Sequence, residues 1–350
     1  MRDTIGIAFC PVYQNPYQHL LTDALRDIGV DVLHFDRMPS ARWLVRERGR
    51  VQVLHLHWLY GLYMHRYLTP VSYVRFLGRF AIARRLGYRI VWTAHNIVPH
   101  RMRFPPIHLG IRRLVMHRAD AVIAHCDYAR QELLRRFPRR RPTHVVPLGT
   151  YGNVYPASVT QEQAREHLGL RANHFAYLFL ANIAPYKGLQ HFVQAFEQQA
   201  EATDVLIIGG RNRDASLVRY LESAVARDSR IRLHAGFIPD DRMQYFLRAA
   251  DAMVAPFEKI LTSSSIMVGM SYGLPIIAPA LGCLPELVTS DAGILYDPED
   301  PDALARALRR IKTMDTRAMG AAAKAIAGGL QWDSIAQKTA AIYRECLRIV

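Results

Sequence analysis

The sequence predicts an α/β protein with two doubly wound parallel sheets in succession. Three observations carry this. Short apolar runs alternate with longer amphipathic segments, the pattern of strands covered by crossover helices. The alternation occurs twice, once in each half. At 350 residues and 39.9 kDa the chain has the length for two such domains.

In the first half the apolar runs Thr4–Phe9, Val51–Leu56, Arg89–Thr93, Ala121–Ala124 and His144–Pro147 read as buried strands. Segments 17–28, 70–87 and 110–118 carry apolar residues at helical spacing. In the second half the strands are Phe175–Leu180, Asp204–Ile208, Ile231–His234, Ala252–Ala255 and Pro275–Ala278. Segments 188–200, 215–227, 240–249, 264–272 and 301–311 read as the accompanying helices. Gly149–Val159, rich in Gly, Pro, Tyr and Ser, reads as the linker. This divides the chain into a domain at 1–155, a second at 156–330 and a tail at 331–350. In the tail Trp332, Ile335, Ala336, Thr339, Ile342, Tyr343 and Cys346 recur every three or four residues. That spacing predicts an amphipathic helix over 333–347, capped by Asp333 or Ser334 and free to pack back on the first domain.

Several function classes are excluded. No apolar run approaches the roughly 18 residues a spanning helix needs. The opening apolar stretch is too short for a secretory leader and runs into polar Tyr13, Gln14 and Asn15. Cys10, Cys126, Cys283 and Cys346 lie far apart with no CxxC pair, which argues against a zinc ribbon or disulfide framework and favours a reducing, cytoplasmic compartment. There is no GxGxxG after the first strand, no GxxxxGK[ST], no HExxH and no GxSxG. His55 and His57 share a strand face, but a satisfied or substrate-facing pair is expected there rather than a metal site.

Charge is uneven. Residues 1–150 hold 24 arginines, no lysine and 9 acidic residues, a net +15, while the remaining 21 basic and 21 acidic residues cancel. No acidic residue occurs between Arg48 and Arg118. Such asymmetry points to a polyanion or an anionic membrane surface.

Two second-half segments carry chemistry. Asn182-Ile-Ala-Pro-Tyr-Lys-Gly188 follows a strand and opens a helix, so Lys187 stands beside free helix-terminal amides, suited to a phosphate. Pro256-Phe-Glu-Lys-Ile-Leu-Thr-Ser-Ser-Ser265 also leads from a strand into a helix. Thr262, Ser263, Ser264 and Ser265 exceed the single hydroxyl that capping needs, which suits a diphosphate. Both segments follow the carboxyl ends of strands, where open α/β sheets bind ligands.

These segments, with Ala235-Gly-Phe-Ile-Pro-Asp-Asp-Arg-Met243, Gly273-Leu-Pro-Ile-Ile-Ala278 and Gly282-Cys-Leu-Pro-Glu-Leu-Val288, make the chain resemble the GT-B glycosyltransferases over nearly its whole length. The resemblance implies two Rossmann-like domains facing a cleft, an N-terminal acceptor domain and a C-terminal nucleotide-sugar domain. It implies no cofactor and no metal, with the nucleotide sugar as donor substrate. It assigns Lys187 and Thr262–Ser265 to the donor diphosphate, Phe237 and Ile238 to the nucleotide base, and His95 with Asn96 to the donor sugar. Retaining members carry an arginine where Asn182 stands and glutamates where Ile260 and Val268 stand; Glu258 is the displaced substitute. In these departures, and in Asn15-Pro-Tyr17, Val53-Leu-His-Leu-His-Trp58 and His95-Asn-Ile-Val-Pro-His100, the chain is similar to bacterial exopolysaccharide β-mannosyltransferases that act on lipid-linked oligosaccharides.

The implied function is transfer of a sugar from a GDP- or UDP-sugar to a lipid-linked saccharide in polysaccharide or glycolipid synthesis. His57, His100 and Asp127 are the candidates for general base. In 70–87, Tyr73, Phe76, Leu77 and Phe80 form a helical face flanked by Arg75 and Arg79, with Arg84 and Arg85 following. Aromatics beside arginines in an acid-free region suit an anionic membrane interface, hence a peripheral enzyme at the inner face of the plasma membrane. Two other readings stand beside this one. A polyanion or nucleic-acid binder would show salt-sensitive DNA binding, although no nucleic-acid module is recognisable and no nucleic-acid partner is expected. A GT-B-fold sugar-nucleotide epimerase would act on the donor alone.

Overall fold

The computed structural model describes residues 5–13, 15–64, 69–99 and 104–348. The chain forms two compact units, Met1–Gly149 with Leu330–Val350, and Thr150–Gly329. Each is built on one six-stranded sheet.

The first sheet comprises β1 (Ile5–Cys10), β2 (Val30–His34), β3 (Val53–Leu56), β4 (Arg89–Thr93), β5 (Ala121–Ala124) and β6 (Thr143–Val145), in the order β2-β1-β3-β4-β5-β6. The second comprises β7 (Phe175–Leu180), β8 (Asp204–Gly210), β9 (Ile231–Ala235), β10 (Ala252–Val254), β11 (Ile276–Pro279) and β12 (Gly293–Tyr296), in the order β12-β11-β10-β7-β8-β9. The registered pairs are parallel throughout both sheets. Helices cover both faces of a parallel sheet, so its central strands are near-continuous apolar runs. Every residue of β3, β5, β10 and β11 is accordingly buried.

The strands β2 and β12 are absent from the sequence reading, and both lie at sheet edges. In β2, Asp31 and His34 interrupt the apolar run because an edge strand is only half covered. In β12 the first residue is Gly293, where a Cβ would sit 2.2 Å from the Ile276 carbonyl oxygen of β11. That residue serves close strand approach rather than β propensity.

Helix Trp332–Arg348 belongs to the first unit. Its buried face, Trp332, Ile335, Ala336, Thr339, Ala340, Ile342, Tyr343 and Cys346, joins Tyr17, Leu21, Ala24 and Leu25 of helix Pro16–Asp27 in one core. The helix begins one residue earlier than its periodicity suggests, so Asp333 lies in its first turn. Trp332 packs so closely on Gly149 that a Cβ there would meet the indole at 2.4 Å. Tyr343 Oη lies 2.6 Å from His55 Nδ1, tying the end of the chain to β3.

Helix Thr69–Arg85 corrects the expectation of a membrane-facing aromatic stripe. Phe76 and Phe80 are buried, and Phe76 packs on Tyr63. The apolar side chains left outside are Val71 and Val74, 57 % and 66 % exposed. The arginines divide likewise. Arg79 donates to the Met38 carbonyl, and Arg84 pairs with Asp120, which Arg89 and Arg141 also approach. Arg75 and Arg85 stay at the surface. The candidate base His100 lies outside the described residues.

The Tyr343–His55 contact gives a test of the chain-end docking. Tyr343→Phe leaves a buried imidazole nitrogen without its partner, at an expected cost of about 1–3 kcal/mol. Chemical denaturation of wild type and variant measures it; an unchanged midpoint would show that the bond contributes nothing.

Candidate active-site residues at the strand ends

In the second unit the turn after β7 is Pro185–Lys187, a single 3-10 turn, and then Gly188 starts helix Leu189–Gln199. Gly188 has φ +67°, and a Cβ there would lie 1.8 Å from the Pro256 carbonyl oxygen. Both facts require glycine. The backbone N–H of Glu258 donates to the Tyr186 carbonyl at 3.2 Å, so the two candidate loops are joined. Lys187 is 8 % exposed, with its Nζ 3.8 Å from the centroid of Phe257 and 5.4 Å from that of Tyr186. Among the described residues no carboxylate pairs with it. Burial lowers its pKa to about 8. The result is an ammonium held over two ring faces, still charged at neutral pH, with its attraction for an anion unspent.

The hydroxyl-rich loop ends at helix Ser264–Ser271. Ser263 caps it, accepting from the Ile266 N–H at 3.3 Å, and its Oγ lies 3.1 Å from that of Ser265. Ser264 is exposed, and Thr262 and Ser265 are half-buried. So one of the four hydroxyl residues does the capping. Glu258 is exposed beside Gly188. Gly282, at φ +59°, and the Cys283 N–H, donating to the Leu261 carbonyl at 2.8 Å, hold this loop from the other side. Phe237 is 62 % exposed, with the Arg211 guanidinium 4.3 Å from its centroid. With Ile238, Arg232 and Arg242 it lines a depression of about 650 Å³. An exposed ring with a cation on one side can take a flat heteroaromatic base by stacking.

In the first unit the strand ends carry histidines. His57 follows β3, His95 lies just beyond β4, and His125 follows β5. All three are buried. His57 Nδ1 lies 3.2 Å from His95 Nε2, and His95 Nδ1 lies 3.1 Å from His125 Nε2. His125 Nδ1 lies 2.9 Å from the Val146 carbonyl oxygen. The ring edge of Tyr17 meets all three, and Trp58 stacks on His95 at 4.1 Å and 13°. Burial, then neighbouring histidines, push His57 and His95 well below the ordinary imidazole value; burial lowers His125 to about 4. At neutral pH the cluster is uncharged.

The structure thus brings His57 and His95 together and adds His125. Asn96 is half-buried beside His95. Asp127 stands apart from the chain of rings: it opens helix Asp127–Arg136 and pairs with Arg130 at 2.8 Å. Sequence reasoning missed His125, Phe257 and Tyr186. A signal for the first was present, since three neighbouring strands each end near a histidine. No group of three or more His, Cys, Asp or Glu that could hold a metal is present among the described residues.

Two family models match. The model described as Glycosyltransferase Family 4 matches residues 71–150, and that described as Glycosyl transferases group 1 matches residues 174–313. The chain is similar to the D-inositol 3-phosphate glycosyltransferase of Xylanimonas cellulosilytica, 28% identical over 67% of this chain. That match spans 59% of the relative's length, less than two thirds. It is 26% identical to the GDP-mannose:glycolipid 4-beta-D-mannosyltransferase of Xanthomonas campestris pv. campestris, over 76% of this chain and 70% of that one. The crystal structure of Anabaena Alr3699/HepE in complex with UDP-glucose has the same fold, with a TM-score of 0.74 at 18% identity, over 97% of this chain and 100% of that one.

Lys187 yields a prediction with two opposite signs. A pKa lowered from the ordinary 10.5 to about 8 means that the charged amine destabilises the fold below pH 8, by about 3 kcal/mol at neutral pH. Lys187→Met should therefore raise the melting temperature at pH 7 while weakening diphosphate binding. In the wild type, inorganic pyrophosphate affinity should fall as pH rises through about 8, where the unliganded amine loses its proton. Calorimetric titration at pH 7 and 9 checks this; equal affinities at both would show that Lys187 does not hold the anion.

Proposed function

This chain belongs to the GT-B glycosyltransferases, and we propose that within that class it transfers a hexose from a nucleotide diphosphate sugar to a lipid-linked saccharide, at the surface of an anionic membrane. The observation that carries the donor half is Lys187, a buried cation with no carboxylate partner among the described residues, at the carboxyl end of a central parallel strand. A leaving nucleoside diphosphate supplies the missing charge. As the glycosidic bond to the diphosphate breaks, negative charge grows on the leaving oxygen. A preorganised ammonium and the free amides at the start of helix Ser264–Ser271 stabilise that charge more than they stabilise the ground state. Phe237 offers a face to the base, and the exposed hydroxyl of Ser264 and the half-buried one of Thr262 offer donors to phosphate oxygens. His95 and Asn96 are the sugar-side residues of the first unit.

The UDP-glucose complex of the Anabaena protein and the GDP-mannose named for the Xanthomonas relative support a nucleotide-sugar donor. The glycolipid named for that relative supports a lipid-linked acceptor. No helix among the described residues is long and apolar enough to cross a membrane. The membrane contact in this reading is electrostatic, through the net +15 of residues 1–150.

A thermal-shift panel of GDP-mannose, UDP-glucose and ADP-glucose tests the donor half. One of them at about 100 times its dissociation constant should stabilise the wild type by about 2.7 kcal/mol. Lys187→Ala should lose most of that shift, and its turnover should fall by about a hundredfold. A shift of the same size in the variant would overturn the assignment of Lys187.

Vesicle flotation tests the membrane half. Arg75→Glu with Arg85→Glu reverses two exposed charges, each arginine being worth about 1 kcal/mol near an anionic surface. Recovery on phosphatidylserine vesicles should drop while nucleotide-sugar stabilisation is kept. Equal recovery of the wild type on neutral and anionic vesicles would sink the contact.

A further inference from the structure

The three strand-end histidines admit only one arrangement of protons. The Val146 carbonyl can only accept, so His125 carries its proton on Nδ1. A neutral imidazole has one N–H, so His125 Nε2 is a bare lone pair and must accept from His95 Nδ1. His95 Nε2 is then also bare and accepts from His57 Nδ1. The chain closes on His57 Nε2, a lone pair that is buried and has no partner.

We infer that His57, His95 and His125 form a one-way hydrogen-bond chain in which His125 and His57 are positioning residues for His95, leaving His57 Nε2 as the one nitrogen of the three rings without a partner among the described residues. This rests on the reading of His95 as a sugar-side residue and changes what that residue can do. Both of its ring nitrogens are engaged, and Trp58 covers one face. His95 is thereby held neutral and in one ring orientation. The unused lone pair of the group is on His57 rather than on His95.

The surroundings agree. The titratable groups around the chain are His55 and His34 from the neighbouring strands, Tyr17 from helix Pro16–Asp27, and Tyr343 from the last helix by way of His55. No carboxylate is among the groups acting on the three rings. An imidazolium there would have no counterion, so the neutral chain is the stable one.

Nitrogen-15 NMR of the histidine side chains reads the tautomers directly in the unliganded full chain, so the result does not depend on finding the donor or the acceptor. The expected pattern at pH 7 is Nδ1 protonated and Nε2 bare on all three rings. His95 should stay neutral down to the lowest pH at which the protein remains folded. His125→Leu removes the acceptor for His95 Nδ1, so His95 should change tautomer, and its titration should move upward as the neighbouring imidazole is lost. In His125→Gln the amide oxygen can accept from His95 and the amide N–H can donate to Val146, so the wild-type tautomers should be retained. An Nε2-protonated His57 or His95 in the wild type overturns the inference. So does a His125→Leu protein with unchanged tautomer and titration at His95. Should His125→Leu fail to fold, His125→Gln decides: loss of the Nδ1-protonated form of His95 in that folded variant counts against the chain.

Discussion

Lys187 keeps its ammonium where water barely reaches it and no carboxylate among the described residues compensates it, and much of the local architecture of the second unit follows from holding it there. A flexible lysine would swing its charge to solvent. Here the 3-10 turn Pro185–Lys187 fixes the direction of the side chain, and Phe257 and Tyr186 give it quadrupole faces instead of counterions. That turn can exist only because Gly188 adopts a left-handed conformation against the Pro256 carbonyl. The Pro256 strand end is in turn continuous with the loop that delivers Ser263 to its capping position. Replacing one of these parts disturbs the others, because they share backbone contacts rather than isolated side-chain bonds.

The two sheets apply the same physical cause to opposite ends. Burial disfavours the charged form of a base. For Lys187, which starts near 10.5, the shift to about 8 leaves it a cation at neutral pH. For the histidines, which start near 6.5, burial leaves uncharged rings, with His55 at about 3 and His125 at about 4. One strand-end site therefore holds a charge, and the other holds neutral rings.

Much of this was legible in the sequence for a physical reason. Central parallel strands must be apolar on both faces, so β3, β5, β7, β8, β10 and β11 announce themselves, and the ligand loops are those that follow them. The edge strands β2 and β12 lack that signature, because Asp31 and His34 interrupt the one and Gly293 opens the other, whereas the edge strands β6 and β9 keep enough of it to be read. Lys187 and Ser263 were legible because phosphate chemistry restricts the residue types beside a helix start. Phe257 was not, since an aromatic in a loop looks the same whether it holds an ammonium or fills a core. His125 was missed because its role depends on the order β3-β4-β5, a property of the sheet that no local window contains. The aromatic face of helix Thr69–Arg85 was misread for the converse reason. Phe76 and Phe80 at helical spacing specify a buried side, and the sequence does not say whether protein or lipid covers it.

The fate of the arginines separates charge from insertion. Asp120 takes Arg84 at 2.5 Å and Arg141 at 2.7 Å, with Arg89 at 3.8 Å and the Ile90 N–H at 2.8 Å. One carboxylate against three guanidinium groups fixes their positions without cancelling their field. The buried aromatic face removes the anchor that would pull this helix into a bilayer. The electrostatic contact proposed above needs no such anchor, because it acts over a Debye length of about 8 Å without a desolvated contact. A surface bound in this way is held by the sum of many weak, exchangeable interactions. Such binding gives lateral freedom along a membrane and sensitivity to salt, and it leaves each hydrophobic side chain of the helix to the folding of its own unit.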